Sequence, residues 1–408
     1  MINDVIIIGG GAAGLCAAVY LKQKLPSLSI RILESQPRVG KKLALTGNGR
    51  CNITNKNISL SSYHGNDISF AEYALTKYDR FISENFFENI GVSFAFEGDK
   101  GYPASFQAGS VVDCLRFAVE ELDITLNLET KVTNIQVSNG NYKVIADNLS
   151  FLARNVIVAS GLLSGGDRLG CDGGVLSILK KAGFDTVDTK PAIVQVKTET
   201  DIVKQLKGIK IDALVTLKCD GKTVRQEFGE TLFCDYGLSG PPVLQVSRGI
   251  DTRRKCEISL DLMSDTDYNT LLSNLENRAK SLKNRNLDEF FTGMLNKRLG
   301  QVIIKLAGLK LSESVSTLKI QDLKKIASLL KNFSFNVTGT TGYINSQVTA
   351  GGLKTDGFDS KTMMSKNAKG LYAIGEILDI DGDCGGFNLQ WAWSSAMCAA
   401  DAIIKENK

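Results

Sequence analysis

Residues 5–14 read VIIIGGGAAG, and this stretch decides the fold of the chain. The apolar run 5–8 predicts a buried strand. Small apolar residues from Ala12 to about Leu25 predict a helix that follows directly. The N-terminus of such a helix presents free N–H groups and the positive end of a dipole, which suits a phosphate. A strand that enters a helix through a glycine-rich turn is typical of α/β nucleotide-binding domains.

The three glycines of the G-x-G-x-x-G pattern have separate roles. Gly9 permits the tight turn, Gly11 lets a pyrophosphate approach bare backbone, and Gly14 lets the helix pack close to the sheet. A second predicted strand, 28–33, ends at Glu34, twenty positions after the last glycine, where a carboxylate can accept a hydrogen bond from a ribose hydroxyl. The combination predicts a dinucleotide site, because an ordinary tight turn does not explain the terminal acid.

The length and composition predict a soluble enzyme of two or three domains, because 408 residues exceed the chain length that a single hydrophobic core usually supports. Net charge is +4, with 48 basic and 44 acidic residues, which indicates neither a nucleic-acid nor a membrane partner. Nine cysteines without a CxxC pair predict reduced thiols, no zinc site and a cytoplasmic location. The first apolar run follows Asp4 and lacks a basic flank, so we interpret it as a strand and not a signal peptide.

Changes of pattern along the chain predict an interrupted first domain. Glycine-rich and alternating strand–helix patterns occupy 1–187 and return at 338–408. Segments 188–265 and 333–337 have the alternation of a β-rich domain, and 266–332 have the leucine spacing of a small helical subdomain. A cofactor domain split by an inserted middle is therefore expected.

A hairpin is expected in the second half of the first domain. Strand patterns at 131–138 and 142–147 flank Asn139-Gly140-Asn141, which is typical of a tight hairpin turn.

Two later segments favour FAD over NAD as the cofactor. Residues 156–161 read VIVASG and residues 370–376 read GLYAIGE, so each predicts a strand that ends in small residues. Both would bring bare backbone to the carboxyl edge of the first sheet, where ligands bind in open α/β folds. A tightly held FAD needs such extra close-approach points, whereas a nicotinamide dehydrogenase does not. The arrangement resembles the flavoproteins with two dinucleotide-binding domains, of the glutathione-reductase type.

Residues 46–52 read TGNGRCN and resemble the signature of the HI0933-like, or BaiN-like, FAD-dependent oxidoreductases of the aminoacetone oxidase family. Further motifs of that family stand in the same order along nearly the whole chain, at 102–105, 237–241, 348–352 and 375–392. The resemblance implies an α/β fold: a Rossmann-like FAD-binding domain split by an inserted β-rich domain that carries a small helical subdomain.

The motifs and the resemblance together give a set of expected cofactor-binding residues. Asn48, Arg50 and Asn52 would hold the flavin ring edge or the pyrophosphate, and Lys42 or its neighbour Lys41 would lie near a phosphate or on a solvated face. A helix that starts near Asn388 would direct its N–H groups at the N1–C2=O edge of the flavin. The expected set is Gly9, Gly11, Ala12, Ala13, Gly14, Glu34, Lys42, Thr46, Gly47, Asn48, Arg50, Cys51, Asn52, Val132, Ala159, Ser160, Gly161, Gly375, Glu376, Asp379, Phe387, Asn388, Leu389 and Gln390.

No residue is assigned a catalytic role. His64 is the only histidine and stands in a polar loop, so we expect it on the surface. Cys51 has no closely spaced second cysteine and is interpreted as a packed small residue. Asp379, Asp381 and Asp383 lack the twelfth-position glutamate of a calcium loop, so no metal site is expected.

The predicted function is hydride transfer through flavin N5 to or from a small or hydrophobic organic substrate. No second G-x-G-x-x-G unit follows a strand, so NAD(P)H is expected at most as a transient electron donor. Two alternatives stay open: a flavin-binding regulatory protein without turnover, and an RNA-modifying flavoenzyme. The near balance of charges speaks against RNA. The sequence does not indicate an oligomeric state.

Overall fold

The computed structural model describes residues 2–138 and 140–407. The chain divides into two compact units. Unit 1 comprises Met1–Pro191 and Tyr343–Lys408, and unit 2 comprises Ala192–Gly342. Unit 2 is therefore inserted into the sequence of unit 1.

The bounds of the strands and helices are as follows. The strands are β1 (Ile2–Ile8), β2 (Ile30–Leu33), β3 (Thr54–Asn55), β4 (Tyr63–His64), β5 (Phe94–Glu97), β6 (Lys100–Pro103), β7 (Thr125–Asn127), β8 (Val132–Ser138), β9 (Asn141–Ala146), β10 (Leu149–Val158), β11 (Thr186–Ala192), β12 (Val196–Thr198), β13 (Lys210–Cys219), β14 (Lys222–Phe233), β15 (Gly237–Ser239), β16 (Cys256–Asp261), β17 (Phe333–Thr340), β18 (Val348–Leu353), β19 (Leu371–Ala373) and β20 (Asp381–Gly382). The helices are α1 (Ala12–Lys24), α2 (Thr46–Gly49), α3 (Glu72–Lys77), α4 (Arg80–Asn89), α5 (Ala108–Glu121), α6 (Gly174–Lys181), α7 (Thr200–Gln205), α8 (Pro241–Ser247), α9 (Tyr268–Ser281), α10 (Lys297–Leu306), α11 (Ile320–Lys331) and α12 (Phe387–Glu406).

The main sheet of unit 1 has the strand order β7-β2-β1-β10-β9-β8, with β19 paired to β10. The neighbours β7, β2, β1, β10 and β19 are parallel, so their carboxyl ends lie at one edge. The run Val5–Ile7 of β1 and the run Val156–Val158 of β10 are fully buried, as central strands covered on both faces require. The α/β Rossmann-type fold expected from the sequence is confirmed.

The hairpin expected around residue 140 is present as the antiparallel pair β8 and β9. Val137 lies opposite Tyr142, and Ser138 lies opposite Asn141. Asn139, the first residue of the expected turn, lies outside the described residues. Gly140, the second residue of the expected turn, is in a turn directly before β9.

Close backbone contacts join β1, α1 and β10. Gly9 has a φ of +107°, and a Cβ placed there would lie 2.6 Å from the carbonyl oxygen of Ala159. A Cβ on Gly14 would lie 2.0 Å from the carbonyl oxygen of Gly9. Residues with side chains cannot occupy either position without moving backbone, so the first and third glycines of the pattern are sterically required.

Unit 2 is a closed barrel with the strand order β12-β15-β14-β13-β16-β17. Helices α9, α10 and α11 are inserted between β16 and β17, which pair with each other. Their apolar residues Leu275, Ile303 and Ile326 belong to the same buried cluster as Leu260 and Phe333 of the barrel. The β-rich insert with helices, expected from the sequence, is thus one structural body with one core.

The cysteines depart from the expectation of nine reduced thiols. Cys219 and Cys256 lie opposite each other on β13 and β16 and form a disulfide. No local sequence pattern indicates this pair, because a separation of 37 residues says nothing about strand register. The other cysteines are not in disulfides.

Within residues 2–138 and 140–407, no helix combines the length and the hydrophobicity that crossing a membrane requires.

We predict that Gly14→Ala lowers the free energy of unfolding by about 3 kcal/mol, because the new methyl group would overlap the Gly9 carbonyl. Gly11→Ala is the matched control: a Cβ at Gly11 has no neighbour within 4 Å in the described chain, so we expect a loss of about 1 kcal/mol or less. Denaturant unfolding of both variants measures the difference. Equal losses would contradict the packing argument.

Candidate active site

Three segments of bare backbone meet at the carboxyl edge of the parallel sheet. The turn after β1 touches the end of β10, as the contact between Gly9 and Ala159 shows. A Cβ on Gly161, two residues further along, would lie 3.3 Å from a carboxylate oxygen of Glu376. A Cβ on Gly375 would lie 3.1 Å from the Cβ of Ala13 in α1. Segments distant in sequence therefore form one site.

The N-terminus of α1 faces open space beside Gly11. Gly11 is the N-cap residue with an extended backbone, and no side chain caps the helix. No acidic residue occupies the first turn. The first N–H groups of a helix, here those of Ala12 and Ala13, have no intrahelical acceptor. The turn thus offers donors and room for an anion.

Glu34 lies at the end of β2, against the glycine-rich turn. Its Oε2 accepts a hydrogen bond from the N–H of Gly10 at 2.7 Å, and its Oε1 accepts from the N–H of Gln36 at 2.8 Å. Its backbone oxygen accepts from the N–H of Thr130 at 2.8 Å, two residues before the buried Val132. Glu34 is therefore adjacent to the segment that leads into Val132.

Lys42 forms an ion pair with Glu376, 334 positions further along the chain, at 2.6 Å. The other carboxylate oxygen of Glu376 accepts from the N–H of Thr349 at 2.8 Å. Both side chains are largely buried, with exposed fractions of 28% and 17%. Lys41 instead donates to the side chain of Gln36 at 2.8 Å. Of the two lysines, Lys42 is the one directed into the site.

Two residues of α12 that sequence analysis missed hold Gly375. Trp391 Nε1 donates to the carbonyl oxygen of Gly375 at 3.1 Å, and Ser395 Oγ accepts from its N–H at 3.0 Å. They stand four positions apart and so share one helix face. That spacing was visible in the sequence, but it does not indicate which segment the face contacts.

The segment 46–49 forms the short turn α2, in which Gly47 and Asn48 have positive φ values. The Thr46 hydroxyl donates to the carbonyl of Leu43 at 2.7 Å. Asn48 is exposed at the tip of the turn. The turn is thus held by local bonds, and the polar side chain at its tip faces solvent.

Arg50 lies in an open groove. Its guanidinium forms an ion pair with Glu97 at 2.6 Å and lies over the rings of Tyr102 and Phe106, 4.5 and 4.6 Å from their centroids. The groove has a volume of about 550 Å³, and Phe387 also lines it. The charge of Arg50 is therefore already balanced by a carboxylate.

Cys51 is a packed thiol. Burial raises its pKa to about 12, so the sulfur stays protonated and is not a nucleophile near neutral pH. Its neighbour Asn52 has a buried Oδ1 that accepts no hydrogen bond from any described residue.

The loop before α12 is fixed by its own side chains. Asp379 is buried and accepts from the N–H of Asn66 at 2.9 Å. Asn388 accepts from the N–H of Gly382 at 2.8 Å and donates to its carbonyl at 2.7 Å.

Gln390, in the first turn of α12, points into the protein interior. It is fully buried, accepts from the Thr54 hydroxyl at 2.6 Å and donates to Ser83 at 2.9 Å. The side chains of Asn388 and Gln390 bind protein groups, and the expectation that these two residues contact a cofactor stays a prediction. Only the N–H groups of Phe387, Asn388 and Leu389 remain without intrahelical acceptors.

His64 is not the surface residue expected from its polar loop. It lies in β4, which pairs with β20, and its Nε2 is 2.6 Å from Oδ1 of Asp383. The exposed fractions of the two side chains are 22% and 15%. The partner lies 319 positions away, so local composition could not indicate it.

The chain is similar to known proteins along nearly its whole length. A model of the HI0933-like protein Rossmann domain matches residues 3–402. The 3-dehydro-bile acid delta(4,6)-reductase of Clostridium scindens is 31% identical over 407 residues, 99% of each chain. The ribosomal RNA dihydrouridine synthase of Escherichia coli is 28% identical over 408 residues, again 99% of each chain. A 3-ketosteroid delta1-dehydrogenase structure from Sterolibacterium denitrificans matches with a TM-score of 0.50 and 13% identity over 99% of both chains, which shows a shared fold.

We predict that Lys42→Met lowers the free energy of unfolding by about 1–3 kcal/mol, because it leaves the carboxylate of Glu376 without its cation. Lys41→Met is the matched control and should cost about 1 kcal/mol or less, since Lys41 binds neutral groups. Thermal and denaturant unfolding compare the two. A control as unstable as Lys42→Met would refute the special role of this ion pair.

Proposed function

Because the chain belongs to the HI0933-like family of FAD-dependent oxidoreductases, we propose that it reduces a C=C bond conjugated to a carbonyl group, with hydride passed from flavin N5. The observation that carries the proposal is the meeting of the glycine turn, residues 159–161 and residues 375–376 at one sheet edge, with open space beside Gly11. A dinucleotide as long as FAD would use all of these positions.

The residues present fit the adenosine and pyrophosphate parts of FAD. The helix N-terminus at Gly11 would bind the pyrophosphate, because its Cβ position is open and its N–H groups face outward. Glu34 would accept from the ribose, since each carboxylate oxygen can accept more than one bond. The Val132 side chain, buried at the start of β8, would bound the adenosine end.

The ribityl chain and the ring would lie at the other end of the site. Glu376, fixed by Lys42 and by the N–H of Thr349, would accept from ribityl hydroxyls. The first N–H groups of α12 would face the pyrimidine edge of the flavin, where they favour the negative charge that reduction adds. Between the adenosine end and the flavin ring, the cofactor would lie directly against the backbone of Ala159, Ser160 and Gly161.

The proposed substrate class rests on what two of the full-length relatives are named for. A delta(4,6)-reductase of a 3-dehydro-bile acid saturates C=C bonds conjugated to a ketone. A dihydrouridine synthase saturates the C=C bond of uracil, which is conjugated to a carbonyl as well. The shared chemistry is hydride addition to an electron-poor alkene, completed by a proton at the neighbouring carbon.

We propose a small hydrophobic enone as the substrate and treat uridine in RNA as the competing outcome. The bile-acid reductase has the higher identity, 31% against 28%. The chain also lacks the excess of basic residues that RNA-binding proteins carry, with 48 basic against 44 acidic residues. Reduced FAD supplies the hydride when bound, and its two electrons come from an external donor. NADH and NADPH are the first donors to test.

We predict that the purified protein is yellow and releases FAD, not FMN, on denaturation. Gly11→Val should remove the flavin and leave the chain folded, because the side chain would enter the open volume at the helix N-terminus. Flavin content per mole, measured beside circular dichroism, tests this. Normal flavin occupancy in Gly11→Val, or FMN as the only released flavin, would contradict the placement.

The test of substrate class is reoxidation of the flavin after anaerobic photoreduction. A steroid 4-en-3-one should restore the oxidised flavin absorbance and be recovered as the saturated ketone, whereas the corresponding saturated ketone should have no effect. A uridine-containing transcript is added in a separate arm. Reoxidation by the transcript alone would favour the RNA enzyme, and no reoxidation by either would favour the regulatory protein without turnover.

A further inference from the structure

One buried hydrogen-bond acceptor at the proposed flavin site has no donor. Within residues 2–138 and 140–407, the buried side-chain polar atoms without a partner are Asn52 Oδ1 and Thr231 Oγ1. Thr231 belongs to the barrel of unit 2, whereas Asn52 lies in the TGNGRCN segment of unit 1. Burying a carboxamide oxygen without a donor is unfavourable, so an unpaired acceptor at a ligand site indicates a donor on the ligand.

Asn52 Oδ1 lies beside the N-terminus of α12. A Cβ on Gly386, the N-cap residue of α12, would lie 2.8 Å from Asn52 Oδ1. A Cβ on Gly47 would lie 3.1 Å from the backbone nitrogen of Asn52. The residue is therefore fixed between α2 and the N-terminus of α12. Its Oδ1 lies beside the N-cap residue of α12, a helix whose first N–H groups have no intrahelical acceptor.

The pyrimidine edge of a flavin has a matching pattern. It presents C2=O, N3–H and C4=O in that order, so a single donor stands between two acceptors. Helix N–H groups suit the carbonyl oxygens, and a carboxamide oxygen suits N3–H. Resting on the proposed function, we propose that Asn52 Oδ1 accepts the hydrogen bond of flavin N3–H, and so fixes which edge of the ring faces α12.

If Asn52 binds the flavin, replacing it should weaken FAD binding without lowering the stability of the flavin-free chain. A residue that merely supports the fold loses stability when it is replaced. Asn52→Leu replaces an unpaired buried acceptor with an apolar side chain of similar size, so the flavin-free chain should be at least as stable as the parent. The same change removes the partner of N3–H, so affinity for FAD should fall.

The first experiment measures FAD binding to the deflavinated full chain by quenching of flavin fluorescence. We expect Asn52→Leu to raise the Kd about tenfold, as the loss of one hydrogen bond predicts. Asn89→Leu, which changes an exposed asparagine at the end of α4, is the matched control and should bind FAD like the parent. Thermal unfolding of each flavin-free variant provides the second readout.

The second experiment uses FAD methylated at N3, which cannot donate. The parent should bind this analogue about tenfold more weakly than FAD, whereas Asn52→Ala, which leaves room for the methyl group, should bind both flavins with similar Kd values. If a water molecule were the true partner of Asn52, the parent would bind both flavins equally.

The outcomes distinguish this inference from the proposed function. A parent chain that binds no FAD overturns the proposed function. A parent that binds FAD, together with an Asn52→Leu variant that binds it equally well, overturns only the role of Asn52. A flavin-free Asn52→Leu chain that is clearly less stable than the parent assigns Asn52 to the fold and also rejects the inference.

Discussion

Contact of backbone against backbone at the carboxyl edge of the sheet is the constraint on which unit 1 depends. The Gly9 turn lies against the Ala159 carbonyl, and α1 begins where its third glycine lies against that same turn. A side chain at either position would separate β1 from β10 or lift α1 from the sheet. The same closeness leaves helix N–H groups and strand ends facing one volume. The backbone contacts that pack β1, β10 and α1 together are thus the same contacts that form the site.

Charged and polar side chains from distant parts of the chain then bind one another around that open volume and hold its rim in place. Lys42 reaches Glu376, His64 reaches Asp383, and Asn388 closes the loop that leads into α12. These groups are partly or largely buried, where hydrogen bonds to charged groups are stronger than on an exposed surface. The loop before α12 is consequently held by bonds from several segments of the chain.

Features encoded within a few residues could be predicted from the sequence. The turn at Gly9–Gly14, the strand that ends at Glu34 and the β8–β9 hairpin each follow from local pattern, and the structure contains them. Features that depend on register or long-range packing could not. The Cys219–Cys256 disulfide requires knowledge of which residues lie opposite on β13 and β16. The inward direction of Gln390 depends on where α4 packs, and the position of His64 depends on the pairing of β4 with β20.

The helices of unit 2 leave the barrel and return to it at adjacent points. Leu260 at the end of β16 lies opposite Phe333 at the start of β17. The ends of the helical segment are therefore side by side, and the entropy of closing a longer or shorter connection changes only slowly with its length. This junction is a natural place for evolution to exchange one accessory module for another. Because the helices share a core with the barrel, any replacement would also have to cover the apolar residues that Leu275, Ile303 and Ile326 now bury.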